Sequence, residues 1–322
     1  MLLKPHALPI ERIDYRLAID SPQPITAPKS TQDALKLSLL VRGALKSAIE
    51  RSDSSLLVAL FKPEAYRRAR GEPAPSNSET PGFRLHVRVG DSAAPAMDRV
   101  SFVLRLTLFG RAAAFRGEIE KALALAFIRR HGLPCLLEQM EPPRRNVFNL
   151  DEMGSSSRKT LPNDDRCSVE LATKTPWLLG KATVHFRKEP DALALLRLFV
   201  KRAQQVAECW GDSDLIQNEA WAAWQDRWSE LERHQRKFSA QMAAHQANIG
   251  SNRQGLRYAE PGVRGTFRFD VLHTEFSSLC PLLLFAQQLG VGTQTTGGYG
   301  RLRVVLSTAT AMHSSTLKNN CS

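Results

Sequence analysis

Between Gly290 and Arg303 the chain reads GVGTQTTGGYGRLR, which places five of its 19 glycines between Gly290 and Gly300. Gly290, Gly292, Gly297, Gly298 and Gly300 allow positive φ angles and a closer backbone approach to a ligand than any Cβ permits. Thr293, Thr295 and Thr296 add hydroxyl groups, and Arg301 and Arg303 add permanent positive charge. Amides, hydroxyls and guanidinium groups in one loop are the chemistry of a phosphate site, one that fixes a nucleic-acid backbone without reading its sequence. Two commoner phosphate loops are excluded by spacing. No Gly-Lys-Ser or Gly-Lys-Thr closes the loop, and Thr295 stands where a dinucleotide fingerprint needs glycine. The order of elements is also reversed, because a helix-like run, Leu279 to Leu289, precedes the loop and a strand-like run, Leu302 to Leu306, follows it.

Charge points the same way. The 322 residues carry 44 Lys and Arg against 32 Asp and Glu, a net charge of +12, which suits a polyanionic partner. The five cysteines, at 135, 167, 209, 280 and 321, form no C-x-x-C pair and show no ligand spacing. The sequence therefore calls for no metal, no cofactor and no disulfide framework, and fits a reducing cytoplasm. No stretch is apolar for long enough to cross a bilayer, so no membrane partner is expected.

The elements that must position the loop follow from periodicity. Ile10 to Asp20 alternates as a strand, Thr31 to Arg51 has helical spacing, Leu56 to Phe61 is a short apolar strand or the start of a hairpin, and YRRAR at 66–70 is a basic stretch. FRLHVRV (83–89) and Val100 to Phe109 alternate strictly, which puts His86 on the polar side of its strand, and Arg111 to His131 is a long helix. With a final extended segment, residues 1–150 fit a ferredoxin-like βαββαβ unit. Residues 151–166 are a polar linker. The order then repeats over residues 167–307: a strand at Cys167 to Thr173, a helix at Asp191 to Trp210, a strand at Gly265 to Leu272, a helix at Phe276 to Leu289, and the strand after the loop. Residues 212–250 form an insertion rich in Ala, Gln, Glu and Trp without proline, and are expected to be helical. Trp221, Trp224 and Trp228 share one face there, and Arg233, Arg236 and Lys237 cluster at its far end. Residues 308–322 are a polar tail. The fold class expected is α+β, two tandem ferredoxin-like (RRM-like) βαββαβ domains with a helical insertion in the second.

The glycine loop, with the helix before it and NRQGLRYAEPGVRGTFRF (252–269), resembles the C-terminal half of the CRISPR repeat-processing endoribonucleases of the RAMP superfamily. Thr175-Pro176 closing CSVELATKTP, FVLRLTLFGRAAAF (102–115) and RGAL (42–45) extend the resemblance over most of the chain. A helical finger at 212–250 is similar to the variant of the family found in type IV CRISPR systems. The resemblance implies metal-independent cleavage of repeat RNA by attack of a ribose 2′-hydroxyl on the adjacent phosphate, leaving a 2′,3′-cyclic phosphate and a 5′-hydroxyl. It also implies that the protein, monomeric on RNA, stays on the CRISPR RNA hairpin alongside other effector subunits.

Members of the family place a catalytic histidine in the first helix, and the helix Thr31 to Arg51 contains none. Two readings follow. Either arginines carry catalysis by positioning and charge, with Arg42, Arg253 and Arg264 as the candidates, or a histidine from elsewhere, such as His245, reaches the site. Tyr258 is a possible accessory. RNA contacts are assigned to the five loop glycines, the three loop threonines and Arg301, with Arg16, Arg257, Arg233, Arg236 and Lys237. Tyr299 either stacks on a base or packs beneath the loop. A RAMP-type subunit that binds CRISPR RNA without cutting it is the alternative function.

Overall fold

A computed structural model describes residues 7–20, 28–71, 80–88, 99–131, 135–149, 166–179, 192–211, 238–251, 257–292 and 295–308. The linker at 151–165, the insertion from 212 to 237 with its three tryptophans and basic cluster, Arg253, Thr293 and the tail from 309 lie outside them.

Among the described residues there are two antiparallel sheets with the same topology. In the first, β1 (Ala7–Asp20), β2 (Phe83–Val87), β3 (Arg99–Phe109), β4 (Cys135–Gln139) and β5 (Arg144–Asn149) run in the order β2-β3-β1-β4, with β5 continuing β4 along the same edge of β1. In the second, β6 (Arg166–Thr173), β7 (Phe238–Ser251), β8 (Arg257–Leu272) and β9 (Leu302–Thr308) run in the order β7-β8-β6-β9. With α1 (Thr31–Ser52), α2 (Ser54–Phe61), α3 (Pro63–Ala69) and α4 (Arg116–His131) in the first half and α5 (Ala192–Trp210) and α6 (His273–Leu289) in the second, each half is a βαββαβ unit. Among the described residues, no helix is long and apolar enough to cross a membrane.

Alternation sets the faces of the first sheet. Ile13, Tyr15 and Leu17 of β1 stand opposite Leu106, Leu104 and Phe102 of β3 on the buried face. The intervening positions, Arg12, Asp14 and Arg16 on β1, Thr107 and Arg105 on β3, and Arg84 and His86 on β2, share the opposite face. α1 starts at a capping box, in which the Ser30 side chain accepts from the Asp33 amide and Asp33 accepts from the Ser30 amide.

Two local expectations are corrected. Leu56 to Phe61 is helical. Asp53 caps it by accepting from the Ser55 and Leu56 amides at 2.9 and 3.0 Å, and Leu56, Ala59 and Leu60 turn a helical face to the core. The last part of the supposed helical insertion, 238–250, is strand β7, which pairs with β8 from Phe238↔Phe269 to Ser251↔Arg257. A period-two pattern of Phe238, Ala240, Met242 and Ala244 lies beneath its helix-favouring composition, and the ladder with β8 decides the outcome.

The halves share one hydrophobic core, in which residues of both sheets and of α1, α5 and α6 belong to a single cluster. Phe148 of β5 stacks on Phe285 of α6 with centroids 3.8 Å apart. Trp210, at the end of α5, reaches into the first half and donates its indole N–H to the Thr80 carbonyl at 2.7 Å. There it lies so close to Gly82 that a Cβ at that position would come within 2.5 Å of the indole.

Candidate nucleic-acid interface

The glycine loop closes on itself and then docks on the first half. Gly290, Gly292, Gly298 and Gly300 all have positive φ. The Val291 amide donates to the Gly300 carbonyl at 2.8 Å, and the Gly300 amide to the Pro176 carbonyl at 2.9 Å. Thr175 clamps the loop from below: its hydroxyl donates to the Gly298 carbonyl at 2.9 Å and accepts from the Arg301 amide at 2.9 Å. The Thr175-Pro176 pair thus holds the glycine loop in place.

Close approach explains most of the glycines. A Cβ on Gly292 would lie 2.1 Å from the Leu178 carbonyl oxygen, one on Gly300 2.0 Å from that of Val291, and one on Gly297 2.5 Å from the Leu39 side chain in α1. Gly290, Thr295, Thr296, Gly297, Gly298 and Gly300 are all buried, and Gly292 is half-buried. These residues face protein, and the loop's backbone is spent largely on joining the two halves. Tyr299 takes the packing role, in a small cluster with Leu35, Leu39 and Leu178.

Cations surround the docked loop. Arg84 and His86 project from the polar side of β2 and are nevertheless buried, because Gly290 and Gly298 of the loop cover them. One Arg84 nitrogen donates to the Gln288 carbonyl at 3.0 Å, while Nε and Nη2 are buried without a hydrogen-bond partner. Arg202, from α5, donates to Thr80 Oγ1 at 3.2 Å and to Thr295 Oγ1 at 2.8 Å. Arg301 donates to His86 Nε2. Among the described residues, the partners of these three arginines are carbonyl, hydroxyl and imidazole groups, not carboxylates.

The electrostatic consequence is large. Burial, and after it the charges of Arg301, Arg202 and Arg105, push the Arg84 pKa well down. Burial brings Arg202 to about 10, and burial with the charges of Arg105 and Arg88 brings Arg301 to about 10. His86 is pushed well below the ordinary histidine value by burial, then by Arg301, Arg84, Arg105 and Arg88, so its ring is neutral at pH 7. With Nε2 accepting from Arg301, the proton of that neutral ring resides on Nδ1, which is buried without a partner. Toward solvent the positive field continues over Arg88 and Arg105, which pair with Asp14, and over Lys174, whose pKa falls through burial and the charges of Arg301, Arg303 and Arg105.

The residues picked out from the sequence fall into separate groups. Arg42 is half-buried under the loop, its Cδ 3.7 Å from where a Gly297 Cβ would lie, with its guanidinium 5.9 Å from the Phe61 ring and Nε unpartnered. Arg42, Thr295, Thr296, the glycines and Arg301 are therefore brought together. Arg264 and His245 stand near one another on β8 and β7, where His245 pairs with Gly262. The His245 pKa is lowered by burial and by the Arg264 charge. This second group adjoins the loop through Leu178, which contacts the positions of both Gly262 and Gly292. Arg16 is exposed and pairs with Glu138 at 3.3 Å, and Arg257 opens β8. Arg84, His86, Arg105 and Arg202 escaped the sequence reading. The alternation of FRLHVRV marked His86 as polar-side, but nothing local shows that the loop 200 residues later covers that side.

No curated protein matches this chain. Among solved structures, a Cas6 product complex is 13% identical over 91% of this chain and 100% of that one, with a TM-score of 0.46. Thermus thermophilus Cas6 is 14% identical over 92% of this chain and 99% of that one, with a TM-score of 0.43. A partial Cas6-RT-Cas1–Cas2 complex is 12% identical over 92% of this chain and 46% of that one, with a TM-score of 0.45. Residues 171–302, which run from β6 through the glycine loop to the start of β9, match the family described as CRISPR-associated endoribonuclease Cas6.

Proposed function

We propose that this protein cuts precursor CRISPR RNA within its repeats and keeps the product hairpin, with the RNA backbone lying along the positive surface from Arg12, Arg88 and Arg105 to Lys174, Arg301 and Arg303. One observation carries the reading: cations crowd the glycine loop within a stretch that matches this family, and among the described residues the partners of Arg84, Arg202 and Arg301 include no carboxylate. A phosphate backbone passing over them supplies negative charge, and Lys174 and Arg303, which are exposed, can meet it directly.

The chemistry needs an in-line 2′-hydroxyl. A bond forms between O2′ and phosphorus, the bond from phosphorus to O5′ breaks, one proton leaves the 2′-hydroxyl and one reaches the 5′-oxygen. The products are a 2′,3′-cyclic phosphate and a 5′-hydroxyl, and no metal enters the scheme. Arg42, held beside Gly297 with an unfilled Nε, stabilises the charge that builds on the phosphorane. Arg264 and Arg253 position the flanking phosphates. His245, kept neutral by burial and by Arg264, is the candidate to take the 2′ proton. Retention on the hairpin makes the protein a subunit of an effector complex.

The test incubates the purified chain, in EDTA, with its cognate repeat hairpin and with copies carrying a 2′-deoxy substitution at successive nucleotides. Cleavage that stops at a single deoxy position, with a cyclic phosphate on the product, is expected. Tight, salt-sensitive binding without product would remove the nuclease and leave a guide-RNA-binding subunit.

A further inference from the structure

A second feature lies on another part of the surface. Between α3, the turn Gly110–Phe115 and the end of α5 there is a cavity of about 440 Å³. Its walls include the rings of Tyr66, Phe115 and Trp210 and the ring of Pro63, and Arg70 and Arg111 stand exposed at its rim. Tyr66 and Phe115 meet edge to face, with centroids 6.2 Å apart. The Arg70 guanidinium lies 5.5 Å from the centre of the Tyr66 ring and donates to its hydroxyl at 3.2 Å. Trp210 also lines the cavity, and its indole N–H is satisfied by the Thr80 carbonyl. Gly110, in the same wall, lets the end of α5 approach closely, since a Cβ there would come within 2.1 Å of the Trp210 carbonyl oxygen.

We propose that this cavity binds an unpaired nucleotide of the RNA, the base against Tyr66 and Phe115 and the phosphate at Arg70 and Arg111. Aromatic and guanidinium planes are what an unstacked base recognises, and the volume is in the range of small-ligand pockets. Charge complementarity favours a polyanion: residues 62–70 carry Lys62, Arg67, Arg68 and Arg70 against one carboxylate, Glu64, and the Arg67 guanidinium donates to the Glu208 carbonyl. The basic stretch at 66–70 has no role in the cleavage scheme, and this assignment gives it one. Geometry permits one RNA to reach both sites. Trp210 lies two helical turns beyond Arg202, about 12 Å along α5, a span of about three to four stacked nucleotides at 3.4 Å each.

The experiment uses the full chain and a single-stranded oligouridylate containing 4-thiouridine, cross-linked by light and mapped by mass spectrometry, with affinity measured by fluorescence anisotropy. Adducts are expected on the peptides that contain Tyr66 or Phe115. Tyr66→Ala should weaken binding about tenfold and Tyr66→Phe less than about twofold, as stacking alone requires. The surface pair Arg70→Ala/Arg111→Ala should weaken binding and reduce the salt slope by about one to two units. Adducts confined to other peptides, or unchanged affinity in both Tyr66→Ala and the arginine pair, would overturn the proposal. Displacement of the oligouridylate by polyglutamate at equal concentration would overturn it in favour of an acidic peptide. The readout is independent of cleavage: a chain that gives these adducts but never cuts a repeat loses the nuclease reading and keeps this site.

Discussion

Gly300→Ala separates the two jobs a glycine loop can do. At Gly300 φ is +72°, and an added Cβ would lie 2.0 Å from the Val291 carbonyl oxygen and 2.8 Å from the Val291 nitrogen. The left-handed conformation alone costs an L residue about 1–2 kcal/mol. The overlap is with backbone, so the chain must move, and the bonds from Val291 N–H to Gly300 and from Gly300 N–H to Pro176 are stretched or lost. Each is worth about 1 kcal/mol, which brings the total to about 3–4 kcal/mol. Gly71 provides the control, since its φ is +70° and nothing lies within 4 Å of an added Cβ. Gly71→Ala should therefore cost only the conformational part, about 1–2 kcal/mol. Urea denaturation at matched m-values reads the difference. The packing account predicts that Gly300→Ala is the more destabilising by about 2 kcal/mol. Equal losses for the two variants, with RNA binding lost only in Gly300→Ala, would refute it and show that the glycine is there to admit phosphate.

Three more outcomes follow from the contacts. Trp210→Ala should destabilise the protein by about 3–5 kcal/mol, seen as a lower urea midpoint, because it empties the contact with Gly82 and removes the bond to Thr80. Asp14 is pushed up by burial, but its hydrogen bonds to Arg105 and the charges of Arg105, Arg88 and Arg12 outweigh this and hold its carboxyl below the usual range. Its contribution is therefore present above about pH 4 and lost as pH falls through the lower folded-state value, so Asp14→Asn should cost about 2 kcal/mol at pH 7 and flatten the acid limb of a stability–pH curve. His86 is depressed, so the folded protein stays unprotonated while the unfolded chain takes a proton below about pH 6.5. Its contribution is full above that pH and falls by about 1.4 kcal/mol per pH unit below it. His86→Gln should remove that slope, which denaturation at pH 7 and pH 5.5 would show.

Much of the architecture is legible locally. Strict alternation marks β1, β2 and β3, and apolar spacing marks α1, α5 and α6, because each element turns a single face to the core. β7 is less legible, since its Ala and Gln content favours helix and only pairing with β8 decides otherwise. The short helix after Asp53 is marked by its cap more than by its apolar residues. Around the loop, what the sequence conceals is long-range. The loop's glycines stand out, yet their tightest neighbours are Leu178, Val291 and Leu39. His86 reads as a surface residue of its strand, and only a loop from the other half makes it buried, neutral and bonded to Arg301. Arg202 sits on a helix with nothing local to single it out, and its meaning comes from Thr295.

The central claim is that arginine beside the glycine loop acts on the scissile phosphate, and Arg42 tests it most directly. The measurement is the single-turnover cleavage rate of the cognate repeat hairpin in EDTA, at saturating protein, for the unmodified chain, Arg42→Ala and Arg42→Lys. Losing a charge-stabilising donor should slow cleavage by about 10²–10³, and lysine, which lacks the planar fork, should recover little of it. An unchanged rate in Arg42→Ala would contradict the account and move the chemistry away from the loop.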